Sequence, residues 1–397
     1  MAAHSTARRR RGAAERTRTE EQMADSNGTA KTAESRARGI RATGRRRKGP
    51  TRRRRALTIT LCTLTSVVLL GGAGLGYVYF KLNGNLKGVD INAALGHDRP
   101  KAVDNGSMNI LVMGSDSRAG KNGEYGKDEG AARSDTAMIV HVYKGHKKAS
   151  VVSVPRDTMI KRPDCTTKDG KDVPGAQRAM FNTAFEVGGP ACAVRTVESI
   201  SNVRMNHFVE VDFTGFKKLI DALGGVDVTT SKAIDDDHSH LHLQPGKHTL
   251  NGEQSLGLVR TRHGVPGGDG SDLGRIQLQQ TFIKALMNQV KNVGVLTNPT
   301  KLYDIADTAT KAITTDTDLN SVSELAGLAK SLGGIGSENI DMVTLPVTYD
   351  PSNPDRVVPL EKKSGQVWDA LRQDKEIPKS AIKGSAGDQG GTDKYVK

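Results

Sequence analysis

The stretch LVRTRHGVPGGDGSDLGRIQLQQ, Leu258–Gln280, carries three arginines around a glycine-rich centre. Arg260 and Arg262 are two residues apart, so on extended chain beyond a helix end their side chains point the same way. Arg275 and Gln279 are four residues apart and share one face of the helix that follows. If the glycine-rich centre folds the chain back, the arginines of both sides meet. Because guanidinium groups grip phosphate oxygens in pairs, this spacing predicts a site for two linked phosphates.

Further charged pairs lie at the ends of three predicted strands. They are Asp116 with Arg118, Arg133 with Asp135, and Arg156 with Asp157. In an α/β sheet ligands gather at strand ends, although a single such pair is also common as ordinary loop charge. Mg²⁺ is usually held by one or two carboxylates together with phosphate oxygens. Asp116 and Asp135 are therefore the candidate ligands of a Mg²⁺ or Mn²⁺ ion beside the phosphates.

The elements that must position these side chains alternate between strands and helices. Short β-branched apolar runs predict strands at Met108–Gly114, Thr136–Tyr143, Ala149–Pro155, His207–Phe213 and Ile340–Val347. Amphipathic runs predict helices at Ala191–Val203, Thr214–Gly225, Asp272–Val290, Ser321–Leu332 and Gln366–Arg372, and another from about Gly252 to about Arg260. This pattern predicts an α/β fold, a single domain over residues 106–378 with a central mixed sheet flanked by helices.

The N-terminal part of the chain has a different composition. Residues 1–55 hold 18 Lys and Arg and 5 Asp and Glu, and contain few large apolar side chains. Such a segment is expected to be a disordered tail. Residues 56–80 are 25 uncharged, largely apolar residues, long enough for one transmembrane helix. Four arginines precede them, so the positive-inside rule places the tail in the cytoplasm and the rest of the protein outside.

The segments outside the predicted domain also have predicted roles. A cleaved signal peptide is the alternative for residues 56–80, but the apolar run is longer than a signal core and lacks a clear cleavage site. Residues 81–105 are predicted to form a stalk or linker. Residues 379–397, which are rich in glycine and polar side chains, are predicted to be a flexible C-terminal tail.

The charge distribution bears on nucleic acid as a partner. The whole chain has a formal charge of +14, but the 342 residues after position 55 carry 40 basic and 39 acidic groups. The folded body is therefore nearly neutral, and no specific nucleic-acid partner is expected. Any binding of DNA by the tail would be non-specific and strongly dependent on salt.

The three cysteines divide by location. Cys62 lies in the predicted membrane segment, whereas Cys165 and Cys192 lie on the side where disulfides persist. We predict that Cys165 and Cys192 pair; two buried free thiols are the alternative.

Eight motifs together resemble the LytR–CpsA–Psr family of bacterial cell-envelope proteins. They occur over residues 108–285 in the order NILVMGSDSR, RSDT, SVPRDT, FNTAFEVGG, FVEVDFTGF, LIDALGGVDV, LNGEQSLGLVRTRH and DLGRIQLQQ. The paired cysteines and the arginine-rich tail resemble actinobacterial members. The sequence departs from the family pattern at Leu278, where Arg is usual, at Leu258, where an aromatic residue is frequent, and at Phe181, where Lys is frequent.

The resemblance implies a membrane-anchored enzyme of the cell envelope. Members transfer glycopolymers from a polyprenyl-pyrophosphate carrier to peptidoglycan, with the lipid in an apolar groove. Matched motif by motif, the resemblance implies that Asp116 and Asp135 bind Mg²⁺ or Mn²⁺. It places around the pyrophosphate Arg118, Arg133, Arg156, Arg260, Arg262, Arg275 and Gln279. The residues expected to act in catalysis are Arg133, Asp135, Arg156, Arg260 and Arg262.

The reaction and its alternatives follow from this resemblance. A peptidoglycan hydroxyl would attack the sugar carbon or the phosphorus nearest the glycan, and lipid phosphate would leave. A hydrolase that uses water as the acceptor is one alternative function. A non-enzymatic regulator linked to the envelope is the other.

Overall fold

The computed structural model describes residues 52–96, 98–115, 134–167, 169–265, 270–292 and 298–388, together with Val396. The chain divides into two units, Met1–Thr65 and Ser66–Lys397. In the first unit the described residues, from Arg52 to Thr65, belong to the first helix. That helix, α1 (Arg52–Asn85), is long and apolar enough to cross a membrane, and the leucine and valine side chains of its apolar part are exposed.

The helices after α1 are α2 (Ile91–Leu95), α3 (Asn182–Ser201), α4 (Phe213–Leu223), α5 (Gly252–Arg260), α6 (Asp272–Asn292), α7 (Pro299–Ala312), α8 (Val322–Gly333), α9 (Glu361–Arg372) and α10 (Lys379–Ile382). The strands up to α5 are β1 (Lys87–Val89), β2 (Met108–Ser115), β3 (Ser134–Val142), β4 (Ala149–Val154), β5 (Met159–Arg162), β6 (Cys165–Thr166), β7 (Asp172–Val173), β8 (Ala176–Met180), β9 (His207–Asp212), β10 (Val226–Thr230), β11 (Ile234–Asp236), β12 (Leu241–Leu243) and β13 (Gly246–Leu250). The later strands are β14 (Ile313–Asp316), β15 (Ile340–Thr344), β16 (Val347–Asp350) and β17 (Asn353–Pro359).

A central mixed sheet organises the domain, as the sequence predicts. Among the described residues it has seven strands in the order β1-β14-β9-β2-β3-β4-β15. β2, β3 and β4 are consecutive antiparallel neighbours, whereas β9 pairs with β2 and β15 with β4 in parallel. β4 is buried along its whole length and β2 and β3 are mostly buried, as expected of strands covered on both faces. The main core joins these strands to α3 and α9 and contains Trp368.

The segment predicted as a stalk contributes to the sheet. α1 continues to Asn85, and β1 then pairs in parallel with β14 at the edge of the sheet. α2 follows, and its Ile91 and Leu95 are buried in the main core. The sequence did not predict these elements, because a three-residue strand and a five-residue helix are too short to show a periodic pattern.

Two other segments differ from their predicted form. The run Ile340–Val347 is two strands, because Pro346 cannot donate to a sheet and separates β15 from β16. Part of the predicted flexible tail is packed: Ala381 of α10 lies in the main core, and Val396 is buried in a second apolar cluster and pairs with Thr230.

The predicted disulfide between Cys165 and Cys192 is confirmed. It joins β6 to α3, with Ala184 packed beside it. Gly188 lies against the bridge, since a Cβ there would come within 2.7 Å of the Cβ of Cys192. This close approach requires glycine, and it accompanies a kink in α3 at Gly188 and Gly189.

Candidate active site

Asp135 is positioned by an irregularity at the start of β3. β2 and β3 pair with a shift in register, so that Gly114 faces Thr136 and Ser115 faces Ser134. Asp135 is the extra residue on β3 and has no partner on β2. Such a bulge re-aims a side chain, and bulges are frequent beside functional sites.

Arg156 follows β4 and reaches across to Asp135. Its Nη1 donates to Oδ1 of Asp135, and its Nε lies 3.7 Å from Oδ2 of Asp157. The backbone of the same segment is fixed on one side by α3, because the amide N–H of Asn182 donates to the carbonyl of Arg156 at 3.1 Å. Arg156 and Asp135, one residue from each of two charged pairs predicted at neighbouring strand ends, therefore meet here.

The chain folds back between α5 and α6 as the spacing of the arginines predicts. α5 ends at Arg260, and Thr261 has the extended backbone that was expected to follow. The guanidinium of Arg260 lies over the ring of Phe213, 5.1 Å from the ring centroid. The positive charge of Arg260 contributes to the lowered pKa of Asp135. Arg262 donates from Nη2 to Oδ1 of Asp272, the first residue of α6, at 3.2 Å.

Arg275 and Gln279 use their shared helix face to hold the start of β3. Nη2 of Arg275 donates to the carbonyl of Asp135 at 2.9 Å. Nε2 of Gln279 donates to Oγ1 of Thr136 and to the carbonyl of Val259, both at 3.0 Å. α6 thus connects the end of α5 with the strand that carries Asp135.

Asp272 is the centre of the cluster, although its place at the start of a predicted helix did not indicate this role. Its Oδ1 pairs with both Arg262 and Arg275 and lies 3.9 Å from Nε of Arg156. Its Oδ2 accepts from the backbone N–H of Arg156 at 3.2 Å. The i,i+3 spacing of Asp272 and Arg275 was the available signal, since such residues are neighbours on a helix.

Burial and the close approach of several charges shift the pKa values of the cluster. Burial opposes the ionisation of Asp135, but the guanidinium groups of Arg275 and Arg156 outweigh it and lower its pKa. Burial lowers the pKa of Arg262, and the like charges of Arg275 and Arg156 lower it further. Burial also acts to lower the pKa of Arg156, but Asp135 and Asp272 outweigh it and raise that pKa.

Two guanidinium groups of the cluster have an N–H without an acceptor in the part of the chain that the structure describes. Among the described residues, Nε of Arg156 and Nε of Arg275 are buried and have no hydrogen-bond partner. Buried donors in native proteins are almost always paired, so an unpaired one calls for an explanation such as a bound anion. Oxygen atoms of an anion are the acceptors that these arginines lack.

The cluster borders an open cleft. A cavity of about 650 Å³ is lined on one side by Arg156, Arg262 and Asp272 and on the other by the hairpin β16–β17. Asp116, Arg118 and Arg133 lie outside the described residues, so their predicted places beside the phosphates and the metal stay predictions.

The three departures from the family pattern are buried in apolar surroundings. Leu258 and Leu278 lie in the second apolar cluster, together with Phe282. Phe181 lies in the main core. Leucine at both 258 and 278 keeps that cluster free of a buried charge, which a lone arginine at 278 would introduce.

The sequence profile of the LytR_cpsA_psr family matches residues 78–373, three quarters of the chain. This chain belongs to that family. Family membership was identified from eight motifs, and the profile match confirms it over the whole of the central sheet.

Named relatives carry functions of the cell wall. Cell wall biosynthesis protein LcpA of Corynebacterium glutamicum is 31% identical over 316 residues, which are 73% of this chain and 60% of LcpA. The chain therefore spans less than two thirds of the length of that relative. Polyisoprenyl-teichoic acid–peptidoglycan teichoic acid transferase TagT of Bacillus subtilis is 30% identical over 303 residues, covering 74% of this chain and 87% of TagT.

A solved structure of TagT bound to LI-WTA shares the fold. Its TM-score is 0.53 at 25% identity, and the match covers 72% of this chain and 98% of that one. TagT thus combines a fold similar to this one with bound LI-WTA.

Proposed function

We propose that this protein is a membrane-anchored phosphotransferase that moves a glycopolymer from a polyprenyl-pyrophosphate carrier onto peptidoglycan. The observation that carries the proposal is the arginine cluster, in which Arg156 and Arg275 each bury an N–H that has no acceptor in the described part of the chain. A pyrophosphate supplies several charged oxygens to such a cluster. The names of TagT and LcpA support a role in the cell wall.

The arginines stabilise the transfer step. A hydroxyl oxygen of peptidoglycan attacks the phosphorus nearest the glycan and forms a new O–P bond. The bond from that phosphorus to the bridging oxygen breaks, polyprenyl phosphate leaves with the electron pair, and the hydroxyl proton is released to water. Charge grows on the leaving phosphate, and fixed guanidinium groups directed at it lower the barrier. Arg156, Arg260 and Arg262, with Arg133, fill this role, while Arg275, Gln279 and Arg118 hold the donor.

The described residues fit a cation that depends largely on phosphate. Asp135 offers one carboxylate of lowered pKa, and no group of three or more metal-binding side chains occurs among the residues described. Mg²⁺ or Mn²⁺ needs only one or two carboxylates when phosphate oxygens complete the shell. Asp135 and Asp116 would hold it, and the ion would neutralise part of the charge of the diphosphate.

The orientation in the membrane also belongs to the proposal. The four arginines at the start of α1 favour a cytoplasmic N-terminus. The disulfide favours an extracytoplasmic domain, because disulfides persist on the oxidising side. Protease added to protoplasts should then digest the domain after α1, and protection of that domain would refute the orientation.

The activity can be tested on the full-length protein in detergent. A polyprenyl-pyrophosphate-linked glycan, Mg²⁺ and isolated peptidoglycan are the substrates, and covalent glycan on peptidoglycan is the product measured. We expect wild type to transfer, and Arg262→Ala to lose about ten- to hundredfold in rate, the loss of one charge-assisted hydrogen bond of about 1.5–3 kcal/mol. Arg372→Ala is the control, since Arg372 donates to Ser201 and Asp369 instead.

The alternatives give different products. Release of polyprenyl phosphate without attached glycan would show a hydrolase. Absence of both products, with wild-type envelope function retained by Arg262→Ala in cells, would show a non-enzymatic regulator. Either result would refute the transferase.

A further inference from the structure

The cleft beside the arginines has a second wall that the pyrophosphate does not explain. It is formed by the start of α3 and by the hairpin β16–β17, with Asn182 on the first and Tyr349 and Arg356 on the second. Asp157 lies between them and also lines the cleft.

This wall is fixed to the donor site by backbone contacts on both sides. The N–H of Asn182 donates to the carbonyl of Arg156 at 3.1 Å, and the N–H of Val357 donates to the carbonyl of Asp157 at 3.4 Å. Thr158 and Val357 form a parallel bridge. Because Asp157 of this wall directly follows Arg156 in the chain, a ligand bound to the wall lies next to the place where the phosphates are expected.

The wall contains a buried hydrogen-bond acceptor for which the described ranges of the chain offer no donor. Asn182 is 6% exposed, and its Oδ1 has no hydrogen-bond partner among the residues that the structure describes. An amide oxygen accepts from a hydroxyl or an N–H group. Leaving it unpaired is unfavourable, so a ligand hydroxyl that donates to it would be bound selectively.

The charge and the exposed ring of the wall favour a neutral, hydroxyl-rich ligand. Asp157 and Asp355 offset the one guanidinium of Arg356, whose Nη1 lies 4.0 Å from the carboxylate of Asp157. This wall therefore has no excess of positive charge that would attract a phosphate. Tyr349 is 43% exposed at the cleft. An aromatic face packs against the apolar C–H face of a sugar, while the surrounding polar groups bind its hydroxyls.

We propose that this wall is the acceptor subsite: Asn182 receives a hydroxyl of a peptidoglycan sugar, and Tyr349 packs against a sugar ring. The inference rests on the function proposed above and names the second substrate of the same cleft. It divides the cleft into a cationic donor side and a nearly neutral acceptor side, joined at Arg156 and Asp157.

The test separates acceptor binding from donor binding in the full-length protein in detergent. The acceptor probe is a soluble tetrasaccharide from peptidoglycan glycan strands, measured by NMR titration and as KM in the transfer reaction. The donor is measured by thermal shift with polyprenyl pyrophosphate. We expect Asn182→Ala and Tyr349→Ala to weaken tetrasaccharide binding and raise its KM by about tenfold, a typical effect of one lost contact.

The affinity for polyprenyl pyrophosphate should stay within about twofold of wild type, because both alanine variants keep every arginine. A twofold change corresponds to much less free energy than the loss of one contact. Tyr349→Phe keeps the aromatic face and should bind the tetrasaccharide as wild type does. Thr348→Ala is the matched control, because Thr348 is exposed on the same strand and does not line the cleft. Asn182→Ala removes an unpaired group, so its unfolding temperature should not fall.

Two results would overturn the inference. One is wild-type tetrasaccharide binding by both alanine variants. The other is a loss of donor binding in them as large as that in Arg262→Ala, which would assign the wall to the donor. If wild type transfers no glycan, the proposed function fails, but the NMR comparison of wild type with the two variants still decides whether the wall binds sugar.

Discussion

Replacing Asp272 by Asn should make the protein less stable and yet a better binder of pyrophosphate. The carboxylate of Asp272 is 7% exposed and pairs with Arg262 and with Arg275, whose side chain is 5% exposed. Removing one partner of a buried ion pair costs about 3–5 kcal/mol, because the other charge is left uncompensated. For a domain of this size we expect a fall of roughly 5–9 °C in unfolding temperature.

The same change should strengthen the binding of an anion. Asp272 competes with a ligand for Arg262 and Arg275, and its charge repels a pyrophosphate. Asp272→Asn removes both effects, so added ligand should stabilise the variant by more than it stabilises wild type. The measurement is thermal unfolding of the full-length protein in detergent, titrated with inorganic pyrophosphate.

The matched control is Asp369→Asn, because Asp369 pairs with Arg372 but is 59% exposed. An exposed pair of this kind contributes about 0–1 kcal/mol, and no change in pyrophosphate binding is expected. If Asp272→Asn unfolds at the wild-type temperature, or binds pyrophosphate less tightly, then Asp272 is not the counter-charge of the arginine cluster.

Three further outcomes are expected. Arg262→Lys should lose about tenfold or more in donor affinity, because an ammonium cannot make the bidentate contact of a guanidinium. The measurement is isothermal titration with polyprenyl pyrophosphate, and a wild-type dissociation constant would contradict the prediction. Burial opposes the ionisation of Asp316, but hydrogen bonds from His207 and backbone N–H groups lower its pKa. The ionised carboxylate therefore contributes its full stability above about pH 4, the pKa of Asp in the unfolded chain, and this stability is lost as pH falls through the lower pKa of the folded state. Asp316→Asn should flatten the acid side of a plot of unfolding free energy against pH. An unchanged acid side would exclude this role. Cys165→Ser should cost about 2–4 kcal/mol of unfolding free energy in denaturant titrations, and non-reduced wild type should resist thiol labelling at Cys165 and Cys192.

The sequence predicted the inner part of the sheet and the convergence of the arginines. β2, β3 and β4 are continuous apolar runs, so a local pattern was sufficient to place them. Arg260 and Arg262 on one side and Arg275 on the other are separated by a short glycine-rich segment, so local geometry also brought them together. These features depend on residues that are near one another in the chain.

Features that depend on distant segments were not predicted. Asp272 is central because β4, α5 and α6 meet there, and its neighbours in sequence indicate only a helix start. β1 has no strand pattern of its own and is a strand because β14 lies beside it. The wall of Asn182 and Tyr349 joins positions more than 160 residues apart, which no spacing in the sequence reveals.

The place of β1 limits where the chain can be cut to separate the domain from α1. Only Leu86 separates the end of α1 from β1, and Ile91 and Leu95 of α2 are core residues. Proteolytic shedding at residues 87–95 would strip the edge strand from the sheet and open part of the core. A truncated protein that keeps the fold must therefore begin before Lys87, and a cleavage site that preserves the fold must lie within α1.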